Sequence, residues 1–208
     1  MHTSPKQRTL LGVILFVPLA ALLLVMFACL PAPVGDPATS KVDPALAGAW
    51  TATDDEGKGL LVLVRPWDTH TYYVEYMWQS KKEGKEDNGV IHLKAWLTTL
   101  GGSTFMTFEP LDRLDYVSKD EGSKAWWLVM RLDVQPDAIK VRPINQDSPL
   151  VKDLDTREKL EQAIAKNASN DELYGKELTF QKIAASGKAT DAEMQLIKEA
   201  LEVFHVAK

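Results

Sequence analysis

The sequence is poor in cysteine and histidine, and it has no basic excess. One cysteine, Cys29, stands among 208 residues. That excludes an internal disulfide framework and a cysteine-based zinc finger. Lys and Arg number 24 against 29 Asp and Glu, for a net charge of −5. A chain with no cationic surplus cannot neutralise many phosphates, so nucleic acid is excluded as the default partner. Four histidines are present, none in a His-Glu-x-x-His run. Also missing are Gly-x-Ser-x-Gly, a phosphate loop, and a Gly-x-Gly-x-x-Gly fingerprint after a strand. The expected protein is therefore not an enzyme, and it uses no cofactor and no metal.

Charge is also missing from one stretch. Lys6 and Arg8 are the only charged residues among the first 30, so the remainder holds 22 basic and 29 acidic residues and carries −7. After the polar segment 1–9, Leu10 to Leu30 is 21 residues without a charge. As a helix it would be roughly 31 Å long, close to a bilayer's hydrocarbon thickness. Lys6 and Arg8 would stay in the cytoplasm, which exports the body. Residues 10–30 are thus expected to act as an uncleaved transmembrane signal anchor or as a lipoprotein signal. Met26-Phe27-Ala28-Cys29 resembles the lipobox of bacterial lipoproteins, which implies a lipid on Cys29.

Residues 31–45 hold four prolines and read as a semi-extended linker lifting the body off the membrane. Residues 46–208 read as one extracytoplasmic domain dominated by short strands. These are Gly48–Thr53, Gly59–Val64, Thr71–Gln79, Ile91–Thr98, Thr104–Phe108, Trp126–Leu132, Ile139–Val141 and Leu178–Ile183. Several alternate apolar and polar positions, as half-buried strands do: Tyr72, Val74, Tyr76 and Trp78 share one face. Residues 80–89 read as a hydrophilic loop, 110–124 as a charged loop, and Gly101-Gly102 as a turn. Eight short strands at close spacing predict an antiparallel barrel, which leaves no open edge.

Two helices are expected. One spans 156–166 behind a capping box at Asp155-Thr156-Arg157-Glu158, with Leu160, Ala163 and Ile164 on one face. The other follows Thr190-Asp191-Ala192-Glu193 and carries the stripe Met194, Ile197, Leu201 and Phe204. It would cover a face or the mouth of the barrel, or a second copy of the chain.

Few polar residues form a constellation. His70 beside Asp68, and His92 on a polar strand face, could meet at a metal only if their strands brought them together; solvated surface histidines are the expected outcome. The acidic turn Asp54-Asp55-Glu56 lacks the spaced oxygen ligands of a calcium loop. Six tryptophans are many for this length. The candidate ligand-lining residues are Tyr72, Tyr76, Trp78 and Trp126, in a cup that would hold an apolar small molecule. Aromatics of this kind can equally fill a solid core, in which case the protein is a structural or assembly module. An envelope hydrolase is the weakest reading. Trp126 and Trp127 must point to opposite faces of their strand.

Gly48-Ala49-Trp50 resembles the Gly-x-Trp start of lipocalin-like barrels. The wider pattern resembles a group of uncharacterised bacterial envelope proteins. The residues that carry it are the anchor, Asp43-Pro44-Ala45-Leu46-Ala47-Gly48-Ala49-Trp50, the helix motif Thr156-Arg157-Glu158-Lys159-Leu160, and the strand Leu178–Lys182. The resemblance implies a mainly β, lipocalin-like fold on a membrane-anchored, periplasmic protein. It brings no catalytic residue with it, and the expected partner is an apolar ligand or an envelope protein.

Overall fold

The computed structural model describes residues 29–53, 59–82, 85–111 and 127–185. The described strands are β1 (Cys29–Leu30), β2 (Gly48–Thr53), β3 (Gly59–Pro66), β4 (Tyr72–Lys82), β5 (Lys85–Leu100), β6 (Ser103–Pro110), β7 (Trp127–Val134), β8 (Ala138–Pro143) and β9 (Leu178–Ala185). From β2 to β9 each strand pairs antiparallel with the next, and β9 returns to β2. The result is a closed barrel of eight antiparallel strands. One helix, α1 (Arg157–Asn167), lies between β8 and β9.

The alternation in the sequence becomes the two faces of this wall. Leu60, Val62 and Val64 of β3 lie opposite Trp78, Tyr76 and Val74 of β4 and point inward with them. Met106 and Phe108 of β6 face Met130 and Leu128 of β7 in the same way. Gly101 and Gly102, at φ +56° and +78°, join Leu100 to Ser103. Two successive positive φ values make the tight hairpin whose twist matches the strands, and glycine adopts them without a Cβ penalty.

Several expectations need correction. Residues 80–82 and 85–89 are strand rather than loop: the β4–β5 ladder runs on to Lys82 opposite Lys85. Backbone pairing needs no apolar side chain, so a polar composition did not end the strands. The helix cap is Thr156, whose hydroxyl accepts from Lys159 N–H; Asp155 instead pairs with Lys159 at 2.8 Å. The apolar run does not stay apart from the body to its end. Cys29 and Leu30 form β1 on β7, and Leu30 is buried. Residues 10–28, the turn 54–56, Trp126, most of the loop 110–124 and the second expected helix lie outside the described residues. Among the described residues, no helix is long and apolar enough to cross a membrane.

The proline-rich stretch 31–45 is not a free spacer. It is a strap packed down the outer wall. The Val34 carbonyl accepts from Trp96 Nε1 at 2.9 Å and from Thr107 Oγ1 at 2.7 Å. Gly35 N–H donates to the Glu161 carboxylate of α1 at 2.8 Å. Ser40 Oγ accepts from Leu97 N–H. These bonds satisfy backbone groups that burial would otherwise leave unpaired.

The barrel consequently has two cores. The inner one fills the lumen around Trp50, Tyr72 and Val74. The outer one lies between the wall and the strap, α1 and the residues around it, and contains Leu30, Val34, Phe105, Val129, Leu160 and Ile164. The second layer explains why Trp96, which points outward on β5, is nevertheless buried.

Candidate functional site

The two ends of the lumen differ. At the base, the strap continues into a 3-10 turn, Pro44–Leu46, that plugs the barrel. Trp50 Nε1 donates to the Leu46 carbonyl at 2.9 Å. Lys182 Nζ donates to the Ala45 carbonyl at 3.2 Å while sitting 4.8 Å from the centre of the Trp50 ring. The Tyr72 hydroxyl bonds to both backbone groups of Asp43. Burial pushes the Tyr72 phenol up to about 12.

At the opposite end, the mouth, burial is uneven, with Ala52, Leu60 and Phe108 buried. Val62, Tyr76, Trp78, Leu93, Leu128 and Met130 all pack on the inner core but are only half-buried. Tyr76 and Trp78 lie with ring centres 6.1 Å apart at an interplanar angle of 35°. Trp78 lies across Gly89, its partner on β5. A Cβ on residue 89 would come within 2.2 Å of the indole, so only glycine admits the ring there. The inward rows of the upper wall are apolar and aromatic, the lining that favours an apolar guest.

The expected ligand-lining residues therefore divide. Tyr72, Tyr76 and Trp78 share one inward face of β4, as the alternation predicts. Tyr72 belongs to the base, fully buried and bonded to the plug. Tyr76 and Trp78 face the upper lumen. Trp126 lies outside the described residues. Cys29, the expected lipidation residue, is in β1, paired with Leu128 near the mouth end of β7.

The histidines have separate surroundings. His70 Nδ1 lies 2.7 Å from the Ser40 carbonyl, at the strap. Asp68 accepts from the backbone N–H groups of His70 and Thr71, and chiefly the bond from His70 holds its carboxyl below the ordinary range. His92 stacks on Tyr73 on the outer wall, 5.9 Å between centres. Among the described residues, no group of three or more His, Cys, Asp or Glu could hold a metal ion.

The sequence pattern alone does not join Leu128 and Met130 to Tyr76 and Trp78, because they lie on β7, three strands away from β4 in the barrel. Sequence reasoning also passed over Arg131 and Arg142. Their signal was a charge at alternate positions in two neighbouring apolar strands. No protein-family model matches the chain, and no curated protein or solved structure is significantly similar to it.

Proposed function

We propose that this chain is a membrane-tethered, lipocalin-like module on the extracytoplasmic side of a bacterial envelope, and that it holds an apolar ligand without catalysis. One observation carries the ligand reading. The barrel is plugged at the base by Leu46, Trp50 and Tyr72, whereas on the inward face Val62, Tyr76, Trp78, Leu93, Leu128 and Met130 remain partly exposed. An apolar chain entering there would remove Val62, Leu93 and Met130 from water, at about 0.8 kcal/mol per buried CH₂. Tyr76 and Trp78 would supply the aromatic wall.

The tether reading rests on the uncharged run 10–28 and on the position of Cys29. An anchor through residue 28, or a lipid on Cys29, would join the barrel at β7 with no spacer. The guest's entry point would then lie close to the bilayer, the natural source of an apolar molecule.

Native mass spectrometry of the full chain, extracted from membranes in neutral detergent, tests both parts. The expected spectrum shows an apolar molecule bound to the folded protein. Met130→Trp, which fills the upper lumen, should release it. A chain that carries no adduct and takes up no added palmitate would overturn the ligand reading and leave a solid structural barrel. The protein mass separates the tethers: an intact chain indicates an anchor, and loss of residues 1–28 with an added lipid indicates a lipoprotein. Recovery of the chain in the soluble fraction would sink both.

A further inference from the structure

The outer wall carries a cavity of about 140 Å³, lined by Arg131, Asp133, Lys140, Arg142 and Glu177. Strand register creates it. Arg131 on β7 stands directly opposite Arg142 on β8, and Asp133 directly opposite Lys140. Like charges in direct cross-strand register destabilise a sheet unless something compensates them. Here the compensation is partial. Arg142 Nη1 pairs with the Asp171 carboxylate at 2.6 Å, and Lys140 with Glu177 at 3.7 Å. Arg131 receives a carbonyl instead, that of Ala168, at 3.0 Å. The buried Nε of Arg142 meets no protein acceptor. One buried guanidinium N–H therefore lacks a protein acceptor.

The two guanidinium groups are also held in place. Their central carbons lie 5.6 and 4.7 Å from the centre of one ring, that of Tyr174. Tyr174 is fixed in turn by its hydroxyl, which donates to the same Ala168 carbonyl at 2.7 Å. A pair of oriented guanidinium forks suits a planar or tetrahedral oxyanion. Little side-chain freedom is left to lose on binding. The carboxylates Asp133 and Glu177 on the same lining oppose a multiply charged ligand and so favour a single negative charge.

We propose that this cavity is an oxyanion subsite for a singly charged phosphodiester, supplied by a phospholipid headgroup or by a soluble phosphate ester. The inference does not depend on the lumen's ligand. It is tested on the full chain in neutral detergent, by calorimetric titration with dimethyl phosphate and with short-chain dihexanoyl phosphatidylglycerol. Saturable binding of dimethyl phosphate identifies a free phosphodiester as sufficient. Binding of the lipid alone identifies the headgroup as the source. In either case Arg131→Gln should weaken binding at least about tenfold. Asp133→Asn should tighten it, because a repelling charge is removed. Lys140→Ala, at a half-buried position, should weaken it several-fold and serves where Arg131→Gln fails to fold. Absence of binding, or binding indifferent to all three changes, overturns the proposal. The cluster would then be an ion network fastening residues 171–177 to the barrel.

Discussion

The phenol of Tyr72 bonds to both backbone groups of Asp43, accepting from its N–H and donating to its carbonyl at 3.1 Å. A hydroxyl at the bottom of the lumen thus closes the turn of chain that plugs it. Its titration should be visible in stability. Unfolded tyrosine loses its proton near pH 10, but buried Tyr72 keeps it to about 12. Between those values the folded state binds more protons, so stability falls as pH rises. The contribution is whole below pH 10 and lost through pH 12. Tyr72→Phe should cost about 1–2 kcal/mol at pH 8, by leaving the Asp43 N–H without its acceptor. It should also flatten the decline between pH 10 and 12. Urea unfolding at pH 8, 10 and 11 compares the two slopes, and equal slopes would refute the assignment.

Trp50 and Lys182 act on the same plug from β2 and β9. Trp50→Phe removes the donor to the buried Leu46 carbonyl and leaves a small void, together about 2–4 kcal/mol. Lys182→Met keeps the stem but loses the ammonium over the indole, about 0.5–1 kcal/mol at this partly exposed position. Both groups hold residues 44–46, so their effects should not add. The double variant is expected to lose less than the sum, measured by urea unfolding of all four forms. Strict additivity would mean that the two residues do not share the plug.

The barrel was readable from the sequence, and its dressing was not. Every one of the eight barrel strands overlaps an apolar–polar alternation or a short apolar run, because each wall position faces either the lumen or the outside. The strap was read as a linker because proline-rich sequence rarely signals burial. Its partners, Trp96 and Thr107, are 62 and 73 residues away from Val34. The outward phase of β5 was read as polar for the same reason: nothing local shows that a second layer covers Trp96. Of the candidate site, Tyr76 and Trp78 were found because they share a strand. The opposite wall depends on closure of the barrel, which no local pattern encodes.

The Gly101-Gly102 turn separates backbone strain from packing. Both glycines have positive φ, so alanine at either position costs about 1 kcal/mol or more. At 102 a Cβ would meet nothing within 4 Å. At 101 it would lie 2.3 Å from the Ala165 carbonyl of α1 and 3.0 Å from the Ala168 side chain. Gly102→Ala should therefore lose about 1 kcal/mol, and Gly101→Ala about 2–3 kcal/mol or more as α1 is pushed off the wall. Thermal unfolding compares them. Equal losses would show that α1 does not press on this turn.

The strap is the segment whose attachment is most easily broken. Gly35 sits at φ +76°, and a Cβ there would lie 1.6 Å from Thr98 Oγ1. No rotation of threonine clears both that contact and the neighbouring Cβ at 2.8 Å. Gly35→Ala should therefore lift residues around 35 from the wall. That would break the bond from Gly35 N–H to Glu161 and expose Val34. Glu161→Gln makes the milder change, weakening the same bond without a clash, by about 1 kcal/mol. Lys41 is exposed on the strap and offers a tryptic site. Cleavage there requires the surrounding backbone to open, so its rate reports the opening free energy. The expected order is Gly35→Ala fastest, Glu161→Gln intermediate and the parent slowest, with Gly102→Ala, whose Cβ would meet nothing within 4 Å, close to the parent. If Gly35→Ala is cut no faster than the parent at Lys41, the strap is held elsewhere, and Leu30 and Ser40 rather than Val34 and Gly35 secure it.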